Sequence, residues 1–330
     1  MGKRVLITGI TGFVGSHLAD HVFSLGEGHV VFGTRRWHLS RMDNVRHISD
    51  RIQWVDCNLT DPTGTRAAIE EAAPDIIFHC ASESFVSPSW GHPVHYMTVN
   101  YTCTVNILEA LRMAGSKAVV HLPGSGEEYG EIEERELPIR EDTVLRPVNP
   151  YAVSKIAQDL IGYVYYRSYG LNVIRTRAFN HEGPRRDKVF GIPWYAYQIA
   201  RVEAGLQPPL LKVGHIDDRR NFTHVRDMVR AYWLACAKCK PGELYLIGSD
   251  EPERVFTFRE ALERLIAMST VKPIHYEIDK RYVRPTNVPR LIGDTSKFRT
   301  QTGWRPEISF DAILAETMEY WRVQVRSGRA

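Results

Sequence analysis

The sequence predicts an α/β fold, a doubly wound parallel sheet with a smaller C-terminal domain, and three observations lead there. A short apolar run, Val5-Leu6-Ile7, passes through glycines at positions 9, 12 and 15 into an amphipathic stretch over 16–22. Apolar strand patterns over 29–34, 52–55, 76–79, 118–122 and 172–177 then alternate with helical ones; repeated strand–helix–strand units demand a parallel sheet covered by helices on both faces. After Asn180 the rhythm breaks. Pro184, Pro193, Pro208 and Pro209 mark irregular structure, followed by a strand expected over 243–248 and a helix over 256–267. Residues 1–178 are therefore expected to form the first domain, with 217–250 returning to it. Residues 179–216 and 251–330 are expected to form the second, over the carboxyl edge of the sheet where such folds bind ligands. Residues 326–330 read as a loose tail.

Taken in order, the first unit carries the first chemistry. A strand that runs through glycines into a helix N-terminus offers backbone N–H groups and a helix dipole to a pyrophosphate, the Rossmann-type signature of a dinucleotide site. Its spacing, G-x-x-G-x-x-G, departs from the commoner G-x-G-x-x-G. At the end of the second strand, an acid binds a ribose 2′-hydroxyl, whereas an arginine accommodates a 2′-phosphate. Arg35 and Arg36 stand there, so NADP is expected, with NAD the alternative. Beyond the strand over 118–122 comes Gly124-Ser125-Gly126-Glu127-Glu128-Tyr129-Gly130. A hydroxyl and a carboxylate at a strand's carboxyl end point into the cofactor crevice, and both are catalytic candidates. Finally, Asn149-Pro150-Tyr151-Ala152-Val153-Ser154-Lys155 places Tyr151 and Lys155 four apart. On a helix they share a face, so the ammonium can favour the ionised phenol and make a base of it near neutral pH.

Composition narrows the function classes. The 330 residues suffice for a large core or two domains. With 42 Lys plus Arg against 39 Asp plus Glu, a net charge of +3 gives no strong field for nucleic acid. No stretch approaches a membrane span, and Met1-Gly2-Lys3-Arg4 runs straight into the first strand, so neither membrane nor signal peptide is expected and a cytoplasmic location follows. The five scattered cysteines suggest reduced thiols. Cys236 and Cys239 form a single C-x-x-C on an expected helix; without a second pair or histidines at ligand spacing they read as packing, and no metal is expected.

The set Thr8-Gly9-Ile10-Thr11-Gly12-Phe13-Val14-Gly15, Ser125 to Gly130, Pro150 to Lys155 and Phe179-Asn180-His181-Glu182-Gly183-Pro184-Arg185-Arg186 resembles the extended short-chain dehydrogenase/reductase family. Within it the chain looks like the GDP-mannose 4,6-dehydratase group and its sister, the GDP-4-keto-6-deoxymannose reductases. The resemblance implies that Tyr151, with Lys155, takes the proton of the sugar 4-hydroxyl while hydride passes from C4 to the nicotinamide. Ser125 would bond the same oxygen. Glu127 would remove the C5 proton and help the C6 hydroxyl leave as water, after which hydride returns to C6. It further implies that Gly9, Thr11, Gly12, Phe13, Val14, Gly15, Asp56, Asn58 and Ala81 join Arg35, Arg36, Tyr151 and Lys155 around the cofactor. Ser84, Asn180, Arg185, Arg186, Arg220 and Arg284 would meet a nucleotide-sugar, GDP-linked by the branch it resembles, and Asn100 would support the tyrosine–lysine relay.

Some features lean toward the reductases: Gly12-Phe13-Val14-Gly15 in the first loop and the modest length. Others lean toward the dehydratases, chiefly Phe179 to Arg186 and Glu127. Asn58 and Asn287 stand where acids are common. A third reading, a non-catalytic NADP-binding sensor, stays open because a fold does not dictate a function. Members of the family commonly dimerise through two helices, here 100–113 and 151–169, so a homodimer or homotetramer is expected, with Ile156, Leu160, Val164 and Tyr165 as the apolar stripe.

Overall fold

The computed structural model describes residues 2–251 and 254–328. Met1 and residues 252, 253, 329 and 330, the last two being the end of the expected tail, lie outside the described residues. The main sheet contains β1 (Arg4–Thr8), β2 (Val30–Arg35), β3 (Gln53–Asp56), β4 (Ile76–His79), β5 (Val119–Ser125), β6 (Asn172–Ala178) and a seventh strand, Leu244–Ile247. From one edge the order is Leu244–Ile247, β6, β5, β4, β1, β2, β3, and every neighbouring pair is parallel. The chain winds outward from β1 through β2 and β3, then returns to the other side of β1 with β4. That reversal opens a crevice at the carboxyl ends of β1 and β4.

Alternation along the strands explains both covered faces. Val5 and Ile7 of β1 join Leu18, Ala19 and Val22 of helix α1 (Phe13–Ser24), while Leu6 between them joins Ile69 of α2 (Pro62–Ala72) and Ile107 and Leu111 on the opposite face. Strand β4, Ile-Ile-Phe-His, is buried at every position, as a parallel strand between two helical layers requires. Each large apolar side chain so buried contributes roughly 1.5–3 kcal/mol. A third apolar cluster unites the helices Gly191–Glu203, Phe258–Ala267 and Phe310–Arg326 through Ile199, Leu262 and Leu314.

Several boundaries differ from expectation for identifiable reasons. Helix α1 begins at Phe13, within the glycine run, because Gly12 already accepts from Ser16 N. Strand β5 runs on to Ser125, so the serine ends the strand and caps the 3-10 turn Gly126–Tyr129. A short α3 (Pro93–Met97) leads into a π-turn, Thr98–Thr102, that carries Asn100; only then does α4 (Cys103–Met113) begin. Arg326, expected in a loose tail, is the last residue of a helix, and Cys239 lies just past the helix Val225–Lys238. Among the described residues no helix is long and apolar enough to cross a membrane.

Candidate active site

A cavity of about 290 Å³ occupies the crevice at the carboxyl ends of β1, β4 and β5, and Phe190, Phe258 and Arg284 close its far wall. Its floor is the glycine loop. Gly9 has φ +65°, and a Cβ there would stand 2.7 Å from the backbone nitrogen of Ala81. A Cβ on Gly15 would collide with the Gly9 carbonyl. The close approach therefore needs glycine at both. The N-cap of α1 is Gly12, without a side-chain cap bond, so the first-turn N–H groups are free to take an anion, and the cradle fits a dinucleotide pyrophosphate. Phe13, Val14, Gly9, Gly12 and Gly15 all line the cavity. Thr11 does not; its carbonyl accepts from Asn44 Nδ2 at 3.1 Å.

The arginines after β2 are not equivalent. Arg35 donates to Asp56 Oδ1 at 2.8 Å and lies over the Trp54 ring, 5.2 Å from its centroid. Parallel pairing of β2 with β3 sets Arg35 beside Asp56, so the two residues expected to touch the cofactor separately already hold each other. Arg36 makes no ion pair among the described residues, and its backbone N–H donates to Ser40 Oγ at 2.8 Å. Asn58 Oδ1 accepts from Thr60 N at 3.3 Å, and Ala81 N donates to Thr8 Oγ1 at 3.2 Å.

The catalytic candidates converge. Helix α5 (Pro150–Tyr169) starts at Asn149, whose side chain accepts from Ala152 N at 2.7 Å, with Pro150 pre-set in the first turn. That start turns Tyr151 into the cavity beside Ser125 and Glu127. Burial pushes the Tyr151 phenol well above its ordinary range, a hydrogen bond with Ser125 pulls it down, Glu127 and Glu128 raise it and Arg186 lowers it. Lys155 is not among those influences. Its ammonium donates to the Pro123 carbonyl at 2.6 Å and to the Gln158 side chain. Helical spacing puts Lys155 on the phenol's face, as expected, but the carbonyl at the end of β5 claims the charge, and Ser125 is the group that lowers the phenol most. Asn100 acts one step away as well: it donates to Ser154 Oγ at 2.9 Å and accepts from Ser82 Oγ and Glu83 N, stapling α5 to the loop after β4.

Glu127 reaches the cavity with its side chain mostly covered, accepts from Asn149 Nδ2 at 3.3 Å and faces Arg284 at 3.8 Å. Ser84, Asn180, Arg186 and Arg284 line the same space. Arg186 lies over Phe190, 4.1 Å from the centroid. Arg220 is buried and bonded to Arg219 O at 2.9 Å; burial lowers its pKa, Glu127 and Asp218 raise it and Arg284 lowers it. Arg185 departs from expectation. It has φ +70° and donates to Asp20 Oδ2 at 2.7 Å, so it clamps its loop to α1 instead of facing the cavity; the His17 Nε2–H bond to Pro184 O at 2.9 Å does the same.

Three residues escaped the sequence reading. Asn149 serves Glu127 as well as the helix; the Asn-Pro start was legible as a cap but its second bond was not. Glu182 lies inside the Phe179 to Arg186 motif, lines the cavity and pairs with Arg186 Nε at 3.2 Å; burial pushes it up to about 7 and the Arg186 charge pulls it back. Glu128, next to Glu127, turns the other way into the core.

Residues 6–317 match the family described as GDP-mannose 4,6 dehydratase. The chain belongs to this family. It is 30% identical over 330 residues to the GDP-6-deoxy-D-mannose reductase of Pseudomonas aeruginosa, covering 99% of both chains. It is 32% identical over 327 residues to GDP-mannose 4,6 dehydratase 1 of Arabidopsis thaliana, covering 94% of this chain and 88% of that one. A structure of RMD from Pseudomonas aeruginosa complexed with NADPH superposes with a TM-score of 0.83 at 29% identity, covering 98% of this chain and 99% of that chain. Family members related at this level thus include both a dehydratase and a reductase, and the fold is the Rossmann-type arrangement expected.

Proposed function

We propose that the protein is a nucleotide-sugar 4,6-dehydratase that uses bound NADP to convert GDP-mannose to GDP-4-keto-6-deoxymannose. The observation that carries the reading is the Glu127 carboxylate in one cavity with Ser125 and Tyr151, a third acid–base group that reduction of a ketone does not need. NADP, when bound, accepts hydride from the sugar and returns it, so the net change is loss of water. Tyr151 takes the proton of the 4-hydroxyl and Ser125 bonds that oxygen. Glu127 takes the C5 proton, made acidic by the neighbouring ketone, and protonates the departing C6 hydroxyl. Arg186, Arg284 and Asn180 bind the nucleotide-sugar, the guanidinium forks matching a diphosphate. A second reading, the reductase, is favoured by the end-to-end coverage of the Pseudomonas aeruginosa enzyme. Incubation with GDP-mannose separates them: a dehydratase forms a 4-keto product without consuming reductant, a reductase consumes NADPH only when given the keto sugar, and a sensor does neither. Five free cysteines among the described residues support a reducing, cytoplasmic location.

NADP should bind more tightly than NAD, and Arg36 should carry most of the difference. A charge-assisted bond contributes about 1.5–3 kcal/mol, but Arg35 must first share its guanidinium with Asp56. Arg36→Ala is expected to narrow the NADP preference about tenfold or more, and Arg35→Ala less, by calorimetric titration of both cofactors. Equal affinities in the wild type would remove the assignment.

Assembly as a dimer through α5 is expected from Val153, Leu160 and Val164, which are 46%, 48% and 46% exposed on one helix. Tyr165, expected in that stripe, instead packs inward against α4 and donates to Glu109 at 2.5 Å. Light scattering at micromolar concentration should give twice the chain mass, and a monomer would contradict the interface.

A further inference from the structure

Beneath the crevice floor lies a set of buried charges that the chemistry above does not use. Glu128 is fully buried. One carboxylate oxygen accepts from the backbone N–H of Ser125 at 2.7 Å, and the other accepts from Arg177 Nε at 2.6 Å. Arg177 also bonds Asp159, at 2.7 Å, which Arg175 grips at 2.5 Å. The seat is close-fitting: a Cβ on Gly124 would collide with Glu128 Oε1. Burying such pairs is costly, and apolar replacements are often neutral or stabilising, so stability alone gives no reason for a carboxylate here. Its neighbours do give one, since it accepts from Ser125 N, two residues along β5 from the Pro123 carbonyl that takes the Lys155 ammonium at 2.6 Å.

We propose that Glu128 is a positioning residue for the reaction, its carboxylate fixing Ser125 at the crevice and setting an anion at the same strand end that holds the Lys155 ammonium. This rests on the roles given above to Ser125, Tyr151 and Lys155. The groups facing Lys155 come from four directions. His79 of β4 and His121 of β5 are both pushed down to about 3 by burial, with the Lys155 charge adding to the effect, and so are neutral. The Cys80 thiol, pushed up to about 12 by burial, is neutral as well, and so is the Tyr151 phenol, raised by burial. Charged neighbours are Glu128 from the turn after β5 and Asp159 from α5 itself, with Arg177 and Arg175 of β6 behind them. Burial pulls Lys155 down to about 8, and Glu128 is the largest influence raising it. Burial raises the Glu128 carboxyl and Arg177 pulls it back, and its bonds from Ser125 N and Arg177 Nε are those that hold a carboxylate. Without that charge, two guanidinium groups face one carboxylate, and the ammonium gives up its proton more readily.

Glu128→Gln tests this, because the amide keeps an acceptor for Ser125 N and removes the charge. In protein enriched with ¹³C at lysine Cε, with the Lys155 resonance assigned by Lys155→Met, the titration midpoint should fall by about half a unit to one unit relative to the wild type. With GDP-mannose, the alkaline limb of kcat should move the same way while KM stays put. Coincident midpoints overturn the proposal, as does a kcat limb that stays fixed while the midpoint moves. A wild type without turnover of GDP-mannose counts against the proposed function, and the lysine titration then decides this inference by itself. Should Glu128→Gln unfold because Arg177 is left short of an anion, the double change Glu128→Gln/Arg177→Gln removes both charges. Its midpoint should still fall, though by less, because Glu128 acts on Lys155 more strongly than Arg177, which stands behind it.

Discussion

Tyr151→Phe should lower turnover of GDP-mannose by about 10²–10⁴, the usual cost of losing a general base, while leaving nucleotide binding almost intact. The phenylalanine ring keeps the edge-on contact with Tyr96, whose centroid lies 6.3 Å away, and the packing on Val86. What disappears is the oxygen that shares the cavity with Ser125 and would accept the sugar proton. Burial holds the phenol protonated in the structure, and the group that most favours its ionised form is Ser125, followed by Arg186. Ser125→Ala should therefore lower kcat too, and by less, since it weakens the base without removing it. Steady-state kinetics with calorimetric titration of NADP checks both halves. Turnover near that of the wild type in Tyr151→Phe would mean that the pair four residues apart is structural.

How much of this was legible follows from the range of the interactions. The parallel sheet could be read because each strand carries its own apolar pattern and each helix its own period. Ser125, Glu127 and Tyr151 could be read because strand ends and a capped helix start put them at one edge. Arg35 could not be placed, since its fate depends on register: β2 and β3 pair so that Arg35 meets Asp56, a contact across 21 residues of sequence. Arg185 was misplaced for a similar reason. It sits in a motif that faces the crevice, but a backbone with φ +70° turns it toward Asp20, 165 residues away. The two adjacent glutamates diverge because a 3-10 turn sends successive side chains about 120° apart, and nothing local announces that one of them meets Arg177 in the core.

Glu127→Gln should abolish exchange of the C5 proton and loss of the C6 hydroxyl, with a fall of about 10²–10⁴ in the rate of dehydration. The substitution is close to isosteric, and an amide oxygen can still accept from Asn149 Nδ2, so the side chain should stay in place. Arg284, 3.8 Å away, loses a counter-charge but remains partly exposed and can be solvated. Ser125, Tyr151 and Lys155 keep their contacts, so affinity for NADP and for GDP-mannose should change little, and binding separates a lost base from a collapsed site. A reductase needs no proton removed from C5, and there the same change should disturb only packing and local charge. Deuterium uptake at C5 of GDP-mannose in heavy water distinguishes the cases at a single atom. Uptake in the wild type and none in Glu127→Gln is the expected pair of results. Uptake at the wild-type rate in the variant would strip Glu127 of the role, and no uptake in the wild type would move the protein to the reductase side of its family.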